Sequence, residues 1–224
     1  MKTIILPSIF AADLGHLADE IKRAEDAGSD MLHVDIMDSA FVPNLSFGTN
    51  IVELAKKTTS IPLNVHLMLN RPDLYVQRFI EAGADSVQIH VESSCIVSEV
   101  LKEIKRLGAN PGIVLNPLTP HTAALPYLHL VDECLQMTVF PGYGGQKFMA
   151  APLPEIRKLR DAATAAGKPD FILMVDGGIS RDTLACCAEA GASAFVAGTA
   201  LFSKSDMKSE VAFLRKLASE AFKP

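Results

Sequence analysis

Residues 81–91 read EAGADSVQIHV, and this stretch holds the pattern that decides the fold: a helix end, a glycine and then a strand. A glycine at a helix end adopts the left-handed conformation that closes the helix, and the apolar run after it favours a β-strand. Four other segments repeat the pattern, and they read EDAGSD (25–30), RLGANP (106–111), AAGKPD (165–170) and EAGASA (189–194). The chain is therefore predicted to alternate helices with strands.

The spacing of the repeated glycines predicts how many helix–strand units the chain contains. The gaps between Gly28, Gly83, Gly108, Gly167 and Gly191 are 55, 25, 59 and 24 residues, which correspond to two, one, two and one units. Helix ends near Thr58 and near Leu130 are expected at the skipped positions. With a C-terminal helix, the total is about eight units, the number that closes a parallel barrel.

The predicted strands are continuous apolar runs, as expected for strands that are covered on both faces. They are TIILPS (3–8), MLHVDIM (31–37), LNVHLM (63–68), SVQIHV (86–91), GIVLN (112–116), CLQMTVF (134–140), FILMVD (171–176) and AFVAG (194–198). Because no linker divides these runs, we predict a single (β/α)8 TIM barrel domain over residues 1–224. An open doubly wound sheet is the alternative.

The composition excludes several functional classes. The formal net charge is only −5 and no segment is rich in lysine and arginine, so nucleic acid is not expected as a partner. We expect no signal peptide and no membrane span, because the apolar run at the N-terminus is too short. The four cysteines lack metal-binding spacing, and Cys186 and Cys187 are adjacent. Reduced thiols in a cytoplasmic protein are therefore expected.

Two histidines and two aspartates stand near the ends of three predicted strands. His33 and Asp35 belong to HVDIMD, His66 to NVHLM and Asp176 to MVDGG. Residues i and i+2 of a strand share a face, and the strand ends of a barrel meet at its C-terminal mouth. These side chains match the ligands of Zn²⁺, and Fe²⁺, Mn²⁺ or Co²⁺ would also be accepted. A metal between proton-transfer groups is suited to moving a proton on a carbon next to a carbonyl.

Each of these residues also has an ordinary structural explanation. A single histidine can be buried and hydrogen-bonded in a barrel core, and Asp176 could cap the helix that follows GGIS. Four such residues at the ends of apolar strands need a shared reason, since unpaired charges there are costly. Met37, Met68 and Met137 can be either core fillers or an apolar lid over the pocket.

Glycine-bearing loops follow the last three predicted strands, and they read PGYGGQ (141–146), DGGIS (176–180) and AGTALF (197–202). Barrels often bind phosphate through backbone N–H groups of the loops after strands seven and eight. Lys147 is the only basic side chain expected nearby. Ser8, at the end of the first strand, can either contact a substrate or stabilise a turn.

Motifs along nearly the whole chain resemble the ribulose-phosphate 3-epimerase family. They are LPSIFAAD (6–13), HVDIMDSAFVPNLSFG (33–48), NVHLMLNRP (64–72), IHVE (89–92), LNPLTP (115–120), MTVFPGYGGQKF (137–148), VDGGIS (175–180) and VAGTALF (196–202). The resemblance implies a barrel of the ribulose-phosphate-binding type, a small phosphorylated ketose as substrate and a homo-oligomer. It implies epimerisation of D-ribulose 5-phosphate and D-xylulose 5-phosphate in the pentose phosphate pathway, through an enediolate.

The same resemblance implies roles for individual residues. His33, Asp35, His66 and Asp176 would bind one divalent metal ion, zinc first, and Asp35 and Asp176 would be the acid–base pair. The substrate contacts would be Ser8, His66, Gly142, Tyr143, Gly144, Gly145, Asp176, Gly177, Gly178, Gly198 and Thr199. Phe140, Tyr143 and Ser39-Ala40 depart from the usual residues of the family and could reshape the pocket or subunit contacts.

Three other functions compete with this interpretation. The first is a 3-epimerase that acts on D-allulose 6-phosphate, a six-carbon ketose. The second is a sugar-phosphate-binding barrel without catalysis, which would be expected to have lost Asp35 or Asp176. The third is a metal-free barrel decarboxylase, which would need a lysine at a strand end, and none is found there.

Overall fold

A computed structural model, which describes residues 2–222, is a ring of eight parallel strands. The strands are β1 (Ile4–Pro7), β2 (Leu32–Met37), β3 (Leu63–Met68), β4 (Ser86–His90), β5 (Asn110–Leu115), β6 (Glu133–Met137), β7 (Ile172–Asp176) and β8 (Ala194–Ala197). Each strand pairs with the next, β8 pairs with β1, and a bridge between Ser8 and His33 joins β1 to β2. The predicted TIM barrel is confirmed, and the doubly wound sheet is wrong. Of the predicted range 1–224, Met1, Lys223 and Pro224 lie outside the described residues.

Helices cover the outside of the ring. They are α1 (Leu17–Asp26), α2 (Thr49–Thr58), α3 (Val76–Glu81), α4 (Val97–Arg106), α5 (Leu153–Ala165), α6 (Leu184–Glu189), α7 (Thr199–Phe202) and α8 (Met207–Ala221). The expected helix end at Thr58 is confirmed. The one near Leu130 is wrong, because β5 and β6 are joined by two short 3₁₀ turns, His121–Ala123 and Leu125–Tyr127. Pro120 and Pro126 lack the N–H group that a continuous helix needs in this segment.

Most of the buried polar side chains in the barrel interior lie on one side of it. Inward-facing residues of β6, β7 and β8 form a small apolar cluster with Leu6, and it includes Leu135, Met174 and Val196. Inward-facing positions of β2, β3 and β4 carry buried polar side chains instead, and these are His33, Asp35, Asn64, His66, Ser86, Gln88 and His90. The larger apolar core lies between the strands and the helices. The buried polar side chains of β2, β3 and β4 therefore lie outside this larger apolar core.

The five glycines that the repeat singled out all have a positive φ angle, between 78° and 116°. Gly191 faces a buried neighbour, since a Cβ atom there would lie 2.9 Å from Cβ and Cγ of Arg160. Arg160 is itself held in place, because its guanidinium donates to the carbonyl oxygens of Gly191 and Phe171. A side chain at residue 191 therefore meets both backbone strain and an immobile neighbour.

We expect Gly191→Ala to lower the free energy of unfolding by about 2–4 kcal/mol, the sum of left-handed strain and overpacking. Gly28→Ala is the matched control, because φ is also positive there but a Cβ atom would meet nothing within 4 Å. The control should cost only about 1 kcal/mol. Chemical denaturation of both variants measures the difference, and equal losses would contradict the overlap with Arg160.

None of the helices within residues 2–222 combines the length and the apolar composition that crossing a membrane requires.

Candidate active site

The four side chains that the sequence analysis selected as metal ligands lie together at the C-terminal end of the barrel. One nitrogen or oxygen atom from each of His33, Asp35, His66 and Asp176 can be chosen so that all four lie within 4.8 Å of one another. Asp35 and His66 are direct neighbours in the pairing of β2 with β3, while Asp176 is the last residue of β7. The i and i+2 spacing places His33 and Asp35 on the same inner face.

Asp35 is at the centre of the hydrogen bonds in this cluster. Its Oδ1 atom lies 3.2 Å from His66 Nδ1 and 3.3 Å from His33 Nε2, and Ser8 Oγ donates to its Oδ2 atom at 2.6 Å. The contact with His33 lacks hydrogen-bond geometry, so the buried Nε2 atom of His33 has no hydrogen-bond partner within residues 2–222. A buried nitrogen without a partner, facing two carboxylates, fits a divalent cation.

The two carboxyl groups have opposite electrostatic environments. Burial would raise the pKa of Asp35, but His33 and His66 outweigh it and hold that pKa well below its usual range. Burial, together with the negative charge of Asp35, raises the pKa of Asp176. One carboxyl group is therefore disposed to stay ionised and the other to hold a proton, the division of roles that acid–base pairs use.

The imidazoles respond differently to the same surroundings. Burial lowers the pKa of His66 to about 4, so this ring is neutral. Burial also acts against protonation of His33, but the charges of Asp35 and Asp176 outweigh it and raise the pKa of His33 to about 9. In the metal-free protein, His33 is thus the imidazole that is disposed to carry a positive charge, next to the ionised Asp35.

A cavity of about 500 Å³ opens above the cluster. Most residues selected from the sequence line it, and these are Ser8, Asp35, Met37, Met68, Met137, Gly142, Tyr143, Gly144, Gly145, Asp176, Gly177, Gly178, Gly198 and Thr199. His33 and His66 do not line it, because they are fully buried beneath its floor. The three methionines are nearly buried and form part of the cavity wall.

Two basic side chains reach this cavity, and neither was selected from the sequence. Arg181 and Lys204 both line it, whereas the side chain expected there, Lys147, is exposed and lies outside the lining. Arg181 is paired with Glu210 of α8 through two N–H groups. The expectation of Lys147 as the nearby cation is therefore wrong. Arg181 directly follows the DGGIS loop in the sequence, and this position could have identified it as a cavity residue.

The glycine-bearing loops pack closely enough to explain their glycines. A Cβ atom on Gly177 would lie 2.6 Å from Val139 Cγ2, and one on Gly178 would lie 2.8 Å from the backbone nitrogen of Phe148. The loop that follows β6 is tied to the loop that follows β2, because Asn44 Nδ2 donates to Gly142 O and the Tyr143 hydroxyl donates to Pro43 O. The cavity wall is therefore built from loops in fixed contact.

A second chain of contacts, which the sequence analysis did not identify, orients His66. Its Nε2 atom lies 2.9 Å from Nε2 of the buried His90, and His90 Nδ1 lies 3.3 Å from Glu92. Glu92 also accepts hydrogen bonds from Asn116 N and from the Thr119 hydroxyl. His90 thus contacts the Nε2 atom of His66, while the Nδ1 atom of His66 faces Asp35.

Comparison with known proteins gives consistent matches. A sequence model described as the ribulose-phosphate 3 epimerase family matches residues 4–202. Ribulose-phosphate 3-epimerase of Bacillus subtilis is 41% identical, over 94% of this chain and 97% of the relative. The enzyme of that name from Methanocaldococcus jannaschii is 44% identical, over 96% of this chain and 90% of the relative. The solved structure of 3-hexulose-6-phosphate synthase from Salmonella typhimurium has a TM-score of 0.71 at 17% identity, covering 99% and 100% of the two chains, and shares the fold.

Proposed function

Since this chain belongs to the ribulose-phosphate 3-epimerase family and is an epimerase, we propose that it interconverts D-ribulose 5-phosphate and D-xylulose 5-phosphate by inverting C3. The observation that carries the proposal is the pair of buried carboxyl groups, Asp35 and Asp176, with oppositely shifted pKa values at the floor of a glycine-lined cavity. This arrangement suits the exchange of one proton at a carbon next to a carbonyl.

Inversion of a carbon centre needs a base on one face of the substrate and an acid on the other. Asp35 belongs to β2 and Asp176 to β7, and β1 and β8 lie between these strands in the ring. The two carboxyl groups can therefore approach C3 from different walls of the cavity. One removes the C3 proton, the other returns a proton to the opposite face, and the reverse reaction exchanges their roles.

The residues His33, Asp35, His66 and Asp176 would hold one divalent cation, with zinc as the first choice and iron, manganese or cobalt as alternatives. When bound, the cation supplies positive charge against the negative charge that develops on the substrate oxygens as C3 loses its proton. Ser8 keeps Asp35 oriented through its 2.6 Å hydrogen bond. The nearly buried Met37, Met68 and Met137 exclude water from this floor.

The phosphate group of the substrate, at the end away from C3, would be bound by backbone groups of the three glycine-bearing loops. Gly142 to Gly145, Gly177, Gly178, Gly198 and Thr199 line that part of the cavity, and backbone N–H groups bind phosphate well where side chains are absent. Lys204 and Arg181, the latter paired with Glu210, lie along the same wall. A dianionic phosphate would thus be attracted and held away from the carboxylates.

A second candidate is epimerisation of D-allulose 6-phosphate, which has one more carbon between the carbonyl and the phosphate. The cavity volume of about 500 Å³ would accept either sugar. The names of the relatives at 41% and 44% identity favour the five-carbon substrate. A sugar-phosphate-binding barrel without catalysis is disfavoured by the presence of both Asp35 and Asp176.

Proton NMR of the protein with D-ribulose 5-phosphate in D₂O tests the proposal. We expect D-xylulose 5-phosphate with deuterium at C3, because the abstracted proton exchanges with solvent before a proton returns. Absence of exchange in the metal-supplied, folded protein would contradict the proposal, and D-allulose 6-phosphate would then be tested in the same way. Absence of turnover with both sugars would leave the binding barrel as the function.

The resemblance to the family also concerns the domain, the assembly, the location and the pathway of the protein. We infer one catalytic domain, a homo-oligomer and a cytoplasmic role in the pentose phosphate pathway, since these accompany the family that the motifs resemble.

A further inference from the structure

The side chain of Glu133, on β6, is a buried carboxyl group that the proposed reaction does not use. Its side chain points into the interior, where Gly112 of β5 lies between Gln88 of β4 and Glu133 in the strand pairing. A Cβ atom on Gly112 would lie 2.7 Å from Glu133 Oε1 and 2.6 Å from Gln88 Cγ. The missing side chain at residue 112 therefore makes the space in which these two polar groups meet.

Glu133 controls the orientation of a neighbouring amide. Its Oε1 atom accepts hydrogen bonds from Gln88 Nε2 at 2.9 Å and from Asn64 Nδ2 at 3.1 Å, and Asn64 Nδ2 also donates to Ser86 Oγ at 2.6 Å. An ionised carboxylate can only accept. Rotating the Asn64 amide by half a turn would bring its oxygen against that carboxylate. The Asn64 Nδ2 group is thus kept on the side of Glu133, and the Oδ1 atom on the side of β2.

The Asn64 oxygen in turn determines which nitrogen of His33 carries a proton. His33 Nδ1 lies 2.7 Å from Asn64 Oδ1, and an amide oxygen can only accept, so Nδ1 must donate. The lone pair of the neutral ring is then on Nε2, the buried atom that faces Asp35 and has no hydrogen-bond partner within residues 2–222. All three groups are almost completely buried, so water does not compete with these contacts.

We propose that Asn64, held in orientation by Glu133, is the positioning residue that makes His33 bind the metal through Nε2. This inference rests on the metal-dependent function proposed above. Hydrogen bonds behind a metal-binding histidine fix its tautomer and ring orientation, and their loss weakens metal binding by about 10- to 100-fold. Asn64 does not line the cavity, so its effect on the reaction is transmitted by His33.

The test is the zinc dissociation constant of the full-length protein, measured by competition with a chromophoric chelator. Burial raises the pKa of Glu133 to about 7, so the titrations are done in alkaline buffer where this carboxyl group is ionised. Asn64→Leu is expected to weaken zinc binding by about 10- to 100-fold. Its turnover should recover when zinc is raised above the weakened dissociation constant, with an unchanged KM for the sugar phosphate. A purely structural role for Asn64 would not produce that recovery.

Two further variants separate positioning from general damage to the buried layer. Gln88→Leu removes the other hydrogen bond to Glu133 and leaves Asn64 unchanged. It should lower the free energy of unfolding but keep the zinc dissociation constant within about twofold of the wild type, a much smaller change than the one expected for Asn64→Leu. In the double variant Asn64→Asp with Glu133→Gln, the donor and acceptor between the two residues are exchanged, and His33 keeps an acceptor for Nδ1–H. This variant should recover most of the zinc affinity. If Asn64→Leu fails to fold, Asn64→Val gives the same measurement, since it also removes the oxygen that accepts from His33 Nδ1.

Wild-type zinc affinity in the folded Asn64→Leu variant would overturn the inference and leave the proposed function intact, provided that the wild type binds zinc and epimerises. A wild-type protein that binds no divalent metal would overturn both. NMR of zinc-loaded protein with ¹⁵N-labelled histidine adds an independent readout. His33 should keep its proton on Nδ1, and zinc bound through Nδ1 instead would contradict the assignment.

Discussion

Replacing Asp176 by asparagine is expected to lower kcat by about 10³-fold or more while leaving the fold intact. A positioned acid or base contributes about 10²- to 10⁴-fold, and here the same carboxyl group also belongs to the predicted metal site. Because asparagine can neither take nor return a proton at C3, kcat and kcat/KM should fall together. Steady-state kinetics with D-ribulose 5-phosphate measures both constants.

The fold is expected to survive because the charge of Asp176 does not stabilise it. Burial and the charge of Asp35 raise the pKa of Asp176 above that of the unfolded chain. A carboxyl group of this kind costs stability once the pH rises through its raised pKa, and asparagine removes that cost. The free energy of unfolding of the metal-free variant at neutral pH should therefore be no lower than that of the wild type.

Asp182→Asn is the matched control, because Asp182 is an exposed carboxylate that lines the same cavity six residues further along. Its kcat should stay within about threefold of the wild type, since surface carboxylates away from the reacting atoms contribute little. Near-normal turnover of Asp176→Asn would exclude this residue from the acid–base pair. A loss of equal size in both variants would indicate a general electrostatic effect of the cavity.

Removing the metal is expected to have the second largest effect. Dialysis against a strong chelator should reduce turnover by about 10³-fold or more, because the divalent charge that would stabilise the developing charge on the substrate oxygens is then missing. Added zinc should restore turnover. It should also raise the Tm, since a ligand that binds only the folded state stabilises it, by about 2.7 kcal/mol at one hundred times its dissociation constant.

His33→Gln separates a site effect from a general effect of zinc. The variant loses the buried nitrogen that faces Asp35, so zinc should no longer raise its Tm. His129→Gln changes an exposed histidine and should respond to zinc as the wild type does. A zinc-dependent increase in Tm in both variants would mean that the metal binds outside the cluster of His33, Asp35, His66 and Asp176.

Local sequence patterns predicted the strands and the convergence of the cluster because both follow from short-range geometry. The glycine at each helix end and the apolar run after it locate a strand, and the i and i+2 spacing directs His33 and Asp35 inward. The segment before β6 forms two 3₁₀ turns instead of the expected helix, because Pro120 and Pro126 lack the N–H groups of a continuous helix. Proline chemistry is itself a local signal, and it favoured turns there.

Contacts between distant segments could not be predicted in this way. Arg181 reaches the cavity because Glu210 of α8 pairs with it, and the two are 29 residues apart. The contact of His90 with His66 depends on the neighbouring positions of β3 and β4 in the ring. The layer of Asn64, Gln88 and Glu133 joins residues of three different strands, β3, β4 and β6. These features depend on how the barrel closes.

The tight packing of Gly177 and Gly178 has a consequence for how the proposed site selects among sugars. Val139 and Phe148 pack directly against these glycines, so the proposed phosphate-binding end of the cavity would have a fixed position. The carboxyl groups at the other end are anchored in β2 and β7. The distance between the carboxyl groups and the glycine-bearing loops would therefore be constant. A ketose phosphate of the wrong length would then be rejected even if its volume fitted the cavity.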